Sequence, residues 1–184
     1  MRFPSLPADR RESSVTLSSD GIVFPVDIVG DIEDRLSDWL VAVAKTYDAQ
    51  VGSLDYILCD DAILHAMNVE HLGHDTLTDI ITFDLHDRDG DDVDAPAAIQ
   101  GECYISLERV RDNARAFGRR REVGSATGGD SSGEREELLR VMAHGLLHLC
   151  GLDDKDAGDI AAMRAAEDRA LYIWRTGFAP AVSG

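Results

Sequence analysis

The chain has 184 residues, of which 44% are apolar and 29% are charged. This length and composition fit one globular domain and exclude a disordered, collagen-like or coiled-coil protein. Thirty-five acidic residues against 18 basic ones give a formal charge of −17, which opposes general adhesion to nucleic acid or to an anionic membrane. An acidic surface also suits a high-salt cytosol. The net charge can therefore reflect either the partners of the protein or the salt content of its surroundings.

The sequence lacks the features of a membrane or secreted protein. No stretch approaches the ~20 consecutive apolar residues of a membrane-spanning helix, and residues 1–20 lack the apolar core of a secretory signal. Cys59, Cys103 and Cys150 lie far apart in apolar runs, which favours reduced core thiols over disulfides. We therefore expect a cytoplasmic protein with no membrane contact.

The first part of the chain predicts strands and helices in alternation. Residues 1–18 are rich in Ser, Pro and Arg and predict a loose lead-in, followed by a short strand near residues 21–26. Apolar residues at helical spacing predict a helix over residues 31–47, and alternating ones predict a strand over residues 53–59. A second helix is expected over residues 62–71, with an aspartate as its N-cap.

A hairpin and a third helix are expected next. A β-branched run predicts a strand over residues 79–85, and a strand over residues 99–107 is expected to pair with it across an acidic turn at residues 86–95. The third helix should run from residue 107 to about residue 117. Residues 118–133, rich in Gly and Ser, predict a mobile loop.

Two helices complete the predicted fold. A long apolar helix is expected over residues 134–150, with Ser131 and Glu134 at capping-box spacing and Gly151 ending it in the left-handed conformation. Asp156 is expected to cap the last helix, which reaches about residue 175. The elements predict a single α+β domain over residues 19–176 with a tail at 177–184, in which about five helices surround a small mixed sheet of about four strands and the long helix lies centrally.

Two histidines on the long helix are candidate metal ligands. His144 and His148 are four residues apart, so both imidazoles project from one helical face and can bind one Zn²⁺ at ~2.0–2.1 Å. A hydrogen-bonded polar rim of the core is the alternative interpretation of such a pair. Gly145 costs the helix roughly 1 kcal/mol relative to Ala, which indicates close packing or a site at this position.

A carboxylate from the turn after the helix would complete a metal site. Asp153 and Asp154 follow Gly151 and could fold back onto the histidine pair. Two histidines and a carboxylate, with an open water position, form an accepted ligand set for catalytic zinc. The same donors could bind Fe(II), although that arrangement is usually built on sheets. A zinc peptidase would carry Glu directly after the first histidine, whereas Gly145 occupies that position and speaks against peptide hydrolysis.

These motifs resemble the YbeY family of bacterial endoribonucleases, which mature ribosomal RNA. Residues 144–154, with the sequence HGLLHLCGLDD, are similar to the family motif H-G-x-L-H-L-x-G-[YH]-D-H. The resemblance covers roughly residues 53–174 in the right order. Further matching segments are Asn68 with residues 74–84 (family N-x-x-Y-R-x-x-D-x-x-T-D-V-L-S-F), residues 101–105 (family G-[DE]-I) and residues 163–167 in the closing helix.

The chain departs from the family pattern at three positions. The family's third zinc histidine corresponds to Asp154, with Asp153 as the less favoured alternative donor. The family's Tyr-Arg pair, whose Arg is implicated in RNA cleavage, corresponds to His71 and Leu72. The aromatic residue that follows the motif's glycine is Leu152. The resemblance therefore leaves the strength of any nuclease activity open.

The resemblance implies a zinc-dependent, single-strand-specific endoribonuclease of late ribosome maturation. It would hold one Zn²⁺ per chain through His144, His148 and Asp154, with the two histidines central to catalysis. It would process the 3′ end of 16S ribosomal RNA and act in ribosome quality control, with the small ribosomal subunit and assembly factors as partners. The alternative functions are a non-catalytic assembly or RNA-binding factor with a structural zinc, and a small-molecule metal hydrolase.

Two further groups of residues are candidates for supporting roles. Asp79 is expected either to cap a turn or to accept a hydrogen bond from a ligand histidine and fix its tautomer. Arg111, Arg115 and Arg119 stand at four-residue spacing within a dense basic stretch. This stretch predicts a phosphate footprint for RNA or, alternatively, a solvated helix face.

Overall fold

A four-stranded mixed sheet organises the fold. The computed structural model describes residues 14–19, 26–29, 32–85, 98–121 and 131–180. Its strands are Ser14–Ser19 (β1), Gln50–Cys59 (β2), Ile80–Asp84 (β3) and Ala98–Ser106 (β4). They lie in the order β1-β2-β4-β3, with β1, β2 and β4 parallel and β3 antiparallel to β4. The expected pairing of the last two strands in the chain is confirmed.

Helices surround this sheet. Two π-helical turns, Asn68–Leu72 and Trp174–Phe178, extend the third and the last helix. Among the described residues, no helix is both long and apolar enough to cross a membrane. The arrangement is the α+β fold that the sequence predicts. The helices are Val26–Val29 (α1), Glu33–Lys45 (α2), Asp61–Met67 (α3), Leu107–Arg121 (α4), Ser131–Leu149 (α5) and Ala157–Ile173 (α6).

The first strand lies earlier in the chain than the sequence suggests. β1 falls within the expected lead-in, and Val26 begins α1 instead of ending a strand. Residues 20–25 lie outside the described residues. β1 pairs in parallel with β2, and Leu17 lies opposite Tyr56. Serine and threonine alternate with only two apolar residues in β1, so the periodicity by which a strand is recognised is weak.

The other predicted elements are found with shifted ends. The carboxylate of Asp60 accepts a hydrogen bond of 2.8 Å from the N–H of Ile63 and so caps α3. α4 continues into the expected Gly-rich loop, and α5 begins at Ser131, one turn earlier than predicted. The acidic turn at residues 86–95 and the rest of the Gly-rich loop, residues 122–130, lie outside the described part of the chain.

Helix α5 forms the centre of the core. Leu138, Met142 and Leu146 on this helix have no exposed surface. The hydroxyl of Tyr56 donates a hydrogen bond of 2.8 Å to the carbonyl oxygen of Met142 and so ties α5 to β2. The three cysteines are not joined by disulfides, as expected; Cys59 and Cys103 are buried and Cys150 is half-buried.

Gly145 lets α5 approach the sheet beside the first histidine of the pair. A Cβ atom at this position would lie 2.7 Å from Cδ1 of Ile80, 2.9 Å from Sγ of Cys103 and 3.1 Å from Oγ1 of Thr82. These separations are shorter than van der Waals contact, so a larger residue requires movement of the sheet side chains. Close packing is therefore a sufficient reason for glycine within this helix.

Candidate metal centre

Three donor atoms converge at the C-terminal end of α5. Nε2 of His144 and Nε2 of His148 lie 3.0 Å apart, and Oδ2 of Asp154 lies 3.8 Å from the first and 3.9 Å from the second. Each separation is less than twice the ~2.0–2.2 Å length of zinc–nitrogen and zinc–oxygen bonds, so one ion could contact all three atoms. The structure thus brings together the three residues that the resemblance implies as metal ligands.

The turn after α5 carries Asp154 back to the histidines. Gly151 ends the helix with φ of 92°, in the left-handed region. The neighbouring Asp153 is engaged elsewhere, because its carboxylate accepts hydrogen bonds from the N–H of Asp154 at 2.9 Å and from Nζ of Lys155 at 2.7 Å. The carboxylate that faces the histidine pair is therefore that of Asp154.

Hydrogen bonds behind each ring aim both Nε2 lone pairs at the same point. Nδ1–H of His144 donates to Oε1 of Glu167 at 2.8 Å, and Nδ1–H of His148 donates to the carbonyl oxygen of Leu152 at 3.0 Å. An ionised carboxylate and a carbonyl oxygen only accept, so each Nδ1 carries the proton and each neutral ring has its lone pair on Nε2. Two lone pairs and a carboxylate that face one another repel, and a cation between them removes that repulsion. The donor set fits a bound metal ion.

Burial and the nearby negative charges shift the pKa of His144 in opposite directions. Burial lowers the pKa of His144, but the hydrogen bond and negative charge of Glu167, with the charges of Asp79 and Asp154, outweigh burial and raise it. Burial would raise the pKa of Glu167, but His144 and Arg140 outweigh burial there and lower it. Protons compete with a metal ion for Nε2 of His144, so metal affinity should fall as the pH falls.

The hydrogen bond suggested for Asp79 is made by Glu167 instead. Asp79 accepts from Nδ2 of Asn113 at 3.1 Å, and its backbone carbonyl accepts from the N–H of Ser106 at 2.9 Å. It precedes β3 and lies against α4, whereas α6 packs beside α5 and brings Glu167 to His144. Asp79 acts on the histidine through its charge alone.

Two partners of the histidines are missed by reasoning from the sequence. The carbonyl oxygen of Leu152 is a backbone atom and leaves no trace in the side-chain pattern. Glu167 does leave a signal, because it lies one helical turn after Met163 and one before Leu171, and all three residues are buried. A carboxylate on the buried face of a helix requires a partner.

Two of the three arginines expected to contact RNA are paired with carboxylates. Nε of Arg111 lies 3.3 Å from Oε2 of Glu134, and Nη1 of Arg115 lies 3.4 Å from Oδ1 of Asp112. The side chain of Arg119 lies outside the described residues. Part of the positive charge of this helix is therefore compensated within the protein, and a role in RNA binding stays a prediction.

The position of the family's arginine is an apolar surface residue here. Leu72 ends the π-helical turn after α3, and 51% of its surface is exposed. The ring of the preceding His71 packs edge-on against Phe83, with ring centroids 5.6 Å apart. This part of the surface therefore offers an apolar and an aromatic contact where the family has a guanidinium group.

Comparisons with known proteins match this chain to one family. The family model described as Endoribonuclease YbeY matches residues 26–175. A Flavobacterium johnsoniae protein named Endoribonuclease YbeY is 43% identical over 144 residues, which are 78% of this chain and 88% of that protein. A Bacteroides fragilis protein of the same name is 36% identical over 161 residues, which are 87% of this chain and 97% of that protein.

A solved structure shares the fold. The solution structure of TM1509 from Thermotoga maritima covers 88% of this chain and 92% of that chain, with a TM-score of 0.51 and 23% sequence identity. At this identity the likeness concerns the arrangement of helices and strands. The arrangement of the helices around the four-stranded sheet is therefore a fold already seen in another protein.

Proposed function

This chain belongs to the YbeY family of endoribonucleases, and from that premise we propose that it is a zinc-dependent enzyme that cleaves single-stranded ribosomal RNA. The observation that supports metal dependence is that donor atoms of His144, His148 and Asp154 lie close together. The two histidines are the residues we propose as central to catalysis. The relatives' name supplies the endoribonuclease activity.

The protein's own groups prepare the site before substrate arrives. Glu167 and the carbonyl oxygen of Leu152 hold the two rings in the orientation in which their Nε2 atoms would bind the ion. Asp154 adds a negative charge where a third histidine would add none, so the site's net charge is lower than that of a three-histidine site. When bound, zinc lowers the pKa of its water toward ~7 and polarises a phosphoryl oxygen.

The exposure of the ligands favours catalysis over a structural role. The side chains of His144, His148 and Asp154 are 23%, 28% and 45% exposed, so a polymer can reach them. Structural zinc sites are closed by four protein ligands, whereas catalytic sites keep one position for water or substrate. The described residues offer three donors here. These facts support a nuclease over an assembly factor with a structural zinc.

The proposed substrate is the 3′ end of 16S ribosomal RNA, cut during late maturation of the small ribosomal subunit in the cytoplasm. The family resemblance supports this substrate, and it likewise supports a role in ribosome quality control together with assembly factors. A formal charge of −17 repels RNA at long range, but salt screens such charges beyond ~8 Å. Recognition therefore depends on direct contacts between the protein and the RNA.

Cleavage of defined RNA fragments tests the proposal. Chelator-treated protein, with and without one equivalent of zinc, is incubated with a single-stranded fragment of the 16S 3′ end and with the same fragment in a duplex. We expect cleavage of the single strand only, and only with zinc. RNA binding without cleavage under every metal condition would favour the non-catalytic assembly factor, as the loss of the arginine at Leu72 suggests.

A further inference from the structure

Arg140 holds the second oxygen of the carboxylate that orients His144. Nη1 of Arg140 lies 3.1 Å from Oε2 of Glu167, while Oε1 of the same carboxylate accepts the Nδ1 proton of His144 at 2.8 Å. Arg140 lies one helical turn before His144 on α5, and Glu167 lies on α6. Each oxygen of Glu167 therefore has its own donor, and the chain of contacts joins the two helices behind the metal centre.

The residues around Arg140 indicate that it binds carboxylates within the protein and not a phosphate group. Besides Glu167, its guanidinium faces Oε2 of Glu137 at 3.6 Å and Oδ1 of Asp168 at 3.4 Å. Three carboxylates around one arginine leave the local charge negative, which repels a phosphate. The side chain of Arg140 is 27% exposed, so most of it is committed to contacts within the protein.

Because Glu167 is buried, its carboxylate depends on the contact with Arg140. Glu167 is 8% exposed, and a carboxylate this far from water is stabilised only by charged or hydrogen-bonding partners. The planar fork of an arginine presents donors in fixed directions, so it sets the orientation of a carboxylate as well as its charge. Without that donor, Oε2 would seek another partner, and Oε1 would leave its place opposite the imidazole.

We propose that Arg140 is a positioning residue of the metal centre, which fixes Glu167 so that this carboxylate holds His144 with Nε2 toward the metal ion. The inference rests on the proposed metal site and does not depend on the reaction that the site performs. Groups that orient metal ligands in this way typically change metal affinity by about 10–100-fold when they are removed. Arg140 acts through Glu167, so removal of either residue should remove the same effect.

A double-mutant cycle on zinc affinity tests this dependence. The dissociation constant for zinc is measured with a competing chromophoric chelator, without RNA, for the full chain and for Arg140→Ala, Glu167→Ala and the double variant. We expect Arg140→Ala alone to weaken zinc binding about tenfold. In the Glu167→Ala background the same change should alter affinity less than about twofold, because residues that act through one contact are not additive. Equal losses in both backgrounds, or no loss in either, would overturn the proposal.

Arg175→Ala is the matched control. Nη2 of Arg175 lies 2.8 Å from Oε1 of Glu136, so this ion pair also ties α5 to the end of α6 but does not touch Glu167. We expect Arg175→Ala to keep wild-type zinc affinity even where thermal unfolding of the metal-free protein changes. If Arg175→Ala weakened zinc binding as much as Arg140→Ala does, any contact between the two helices would have the same effect, and the inference about Arg140 would be overturned.

A second variant and a spectroscopic readout cover the case in which Arg140→Ala does not fold. Arg140→Lys keeps the positive charge but loses the planar guanidinium group. We expect its zinc affinity to be lower than that of wild type and, if Arg140→Ala folds, higher than that of Arg140→Ala. In the metal-free protein, at a pH high enough to keep the imidazole neutral, nitrogen chemical shifts should show His144 protonated on Nδ1 in wild type and a mixture of tautomers in Arg140→Lys. Wild-type affinity and an unchanged tautomer in Arg140→Lys would contradict the proposal. Absence of zinc binding by the wild-type chain would instead contradict the metal site itself.

Discussion

His144 and His148 direct their Nε2 atoms at each other across 3.0 Å, and the Nδ1 protons of both rings are already committed to other acceptors. The pair is therefore arranged for a cation before the cation arrives. A ligand that binds only the folded state raises its stability by RT ln(1 + [L]/Kd). The metal centre should consequently contribute to the stability of α5 and of the turn that follows it.

The Asp154 carboxylate decides whether the centre holds metal. We expect Asp154→Ala to lose most of its zinc and RNA cleavage to fall in step, and Asp154→His to keep zinc, because histidine supplies the donor found in the family motif. The carboxylate weakens the Lewis acidity of the ion, so the cleavage optimum of the natural chain should lie at a higher pH than that of Asp154→His. Metal content after gel filtration checks the first point.

Asp153→Ala is the control for that substitution. The Asp153 carboxylate accepts hydrogen bonds from the N–H of Asp154 and from Lys155, and it is not one of the three side chains whose donor atoms converge. We expect the zinc content of Asp153→Ala to equal that of wild type. Retention of both metal and activity in Asp154→Ala would show that another residue is the third ligand.

The close approach at Gly145 predicts an unusual response to alanine. Alanine is the better helix former by about 1 kcal/mol, but its Cβ would collide with Ile80 and Cys103, and overpacking a core typically costs about 1–3 kcal/mol. We expect Gly145→Ala to lower the free energy of unfolding in urea. At Gly133 on the same helix, a Cβ would have open space for 4 Å around it, so Gly133→Ala should not lower it. Equal stabilities of the two variants would contradict the packing argument.

The part of the site that the sequence predicts is the part built within one helix and its following turn. Helical periodicity alone places His144 and His148 on one face, and the left-handed Gly151 returns Asp154 to them. Glu167 is different, because its distance from His144 depends on how α6 packs across α5. No local pattern determines that packing, so the sequence suggests Asp79 as the carboxylate partner, although Asp79 lies against α4 and bonds Asn113.

In the fold, too, contacts between neighbouring segments of the chain are predicted from the sequence, whereas contacts between distant segments are not. The antiparallel pairing of β3 with β4 follows from two strong apolar runs that adjoin in the chain. β1 pairs with β2 in parallel across a long separation in sequence, with Val15 and Leu17 as its only apolar residues. Its own pattern is therefore too weak to predict this pairing from the sequence.

Glu137 predicts a dependence of stability on pH. Burial, together with the charges of Asp79 and Glu167, raises the pKa of Glu137 from 4.5 to about 7, against the lowering effects of Arg140 and Asn113. The folded protein therefore binds this proton more tightly than the unfolded chain does. The resulting stability is fully present below pH 4.5 and is lost as the pH rises to about 7.

Glu137→Gln should remove this dependence. Relative to wild type, its free energy of unfolding should rise between about pH 5 and pH 8 by an amount on the order of 2–3 kcal/mol. Denaturant unfolding of chelator-treated protein at several pH values checks this, because the absence of metal removes the competition between protons and metal at the ligands. Parallel pH profiles for the two proteins would show that Glu137 is ionised throughout.

The basic face of α4 predicts the salt dependence of RNA binding. If Arg111, Arg115 and Arg119 contact phosphates, replacing all three with Ala should flatten the plot of log affinity against log salt by roughly 0.7 for each phosphate that is no longer bound on single-stranded RNA. Arg169→Ala, which removes an exposed arginine from α6, is the control and should leave the slope unchanged. An unchanged slope in the triple variant would place the RNA on another surface.

A zinc titration followed by RNA cleavage tests the central claim most directly. Zinc is added stepwise to chelator-treated protein, and the initial rate of cleavage of a single-stranded 16S 3′-end fragment is measured at each step. With one centre built from His144, His148 and Asp154, the rate should rise in proportion to added zinc and level off at one equivalent per chain. Full cleavage by the metal-free protein, or no cleavage at any amount of zinc, would contradict a zinc-dependent endoribonuclease.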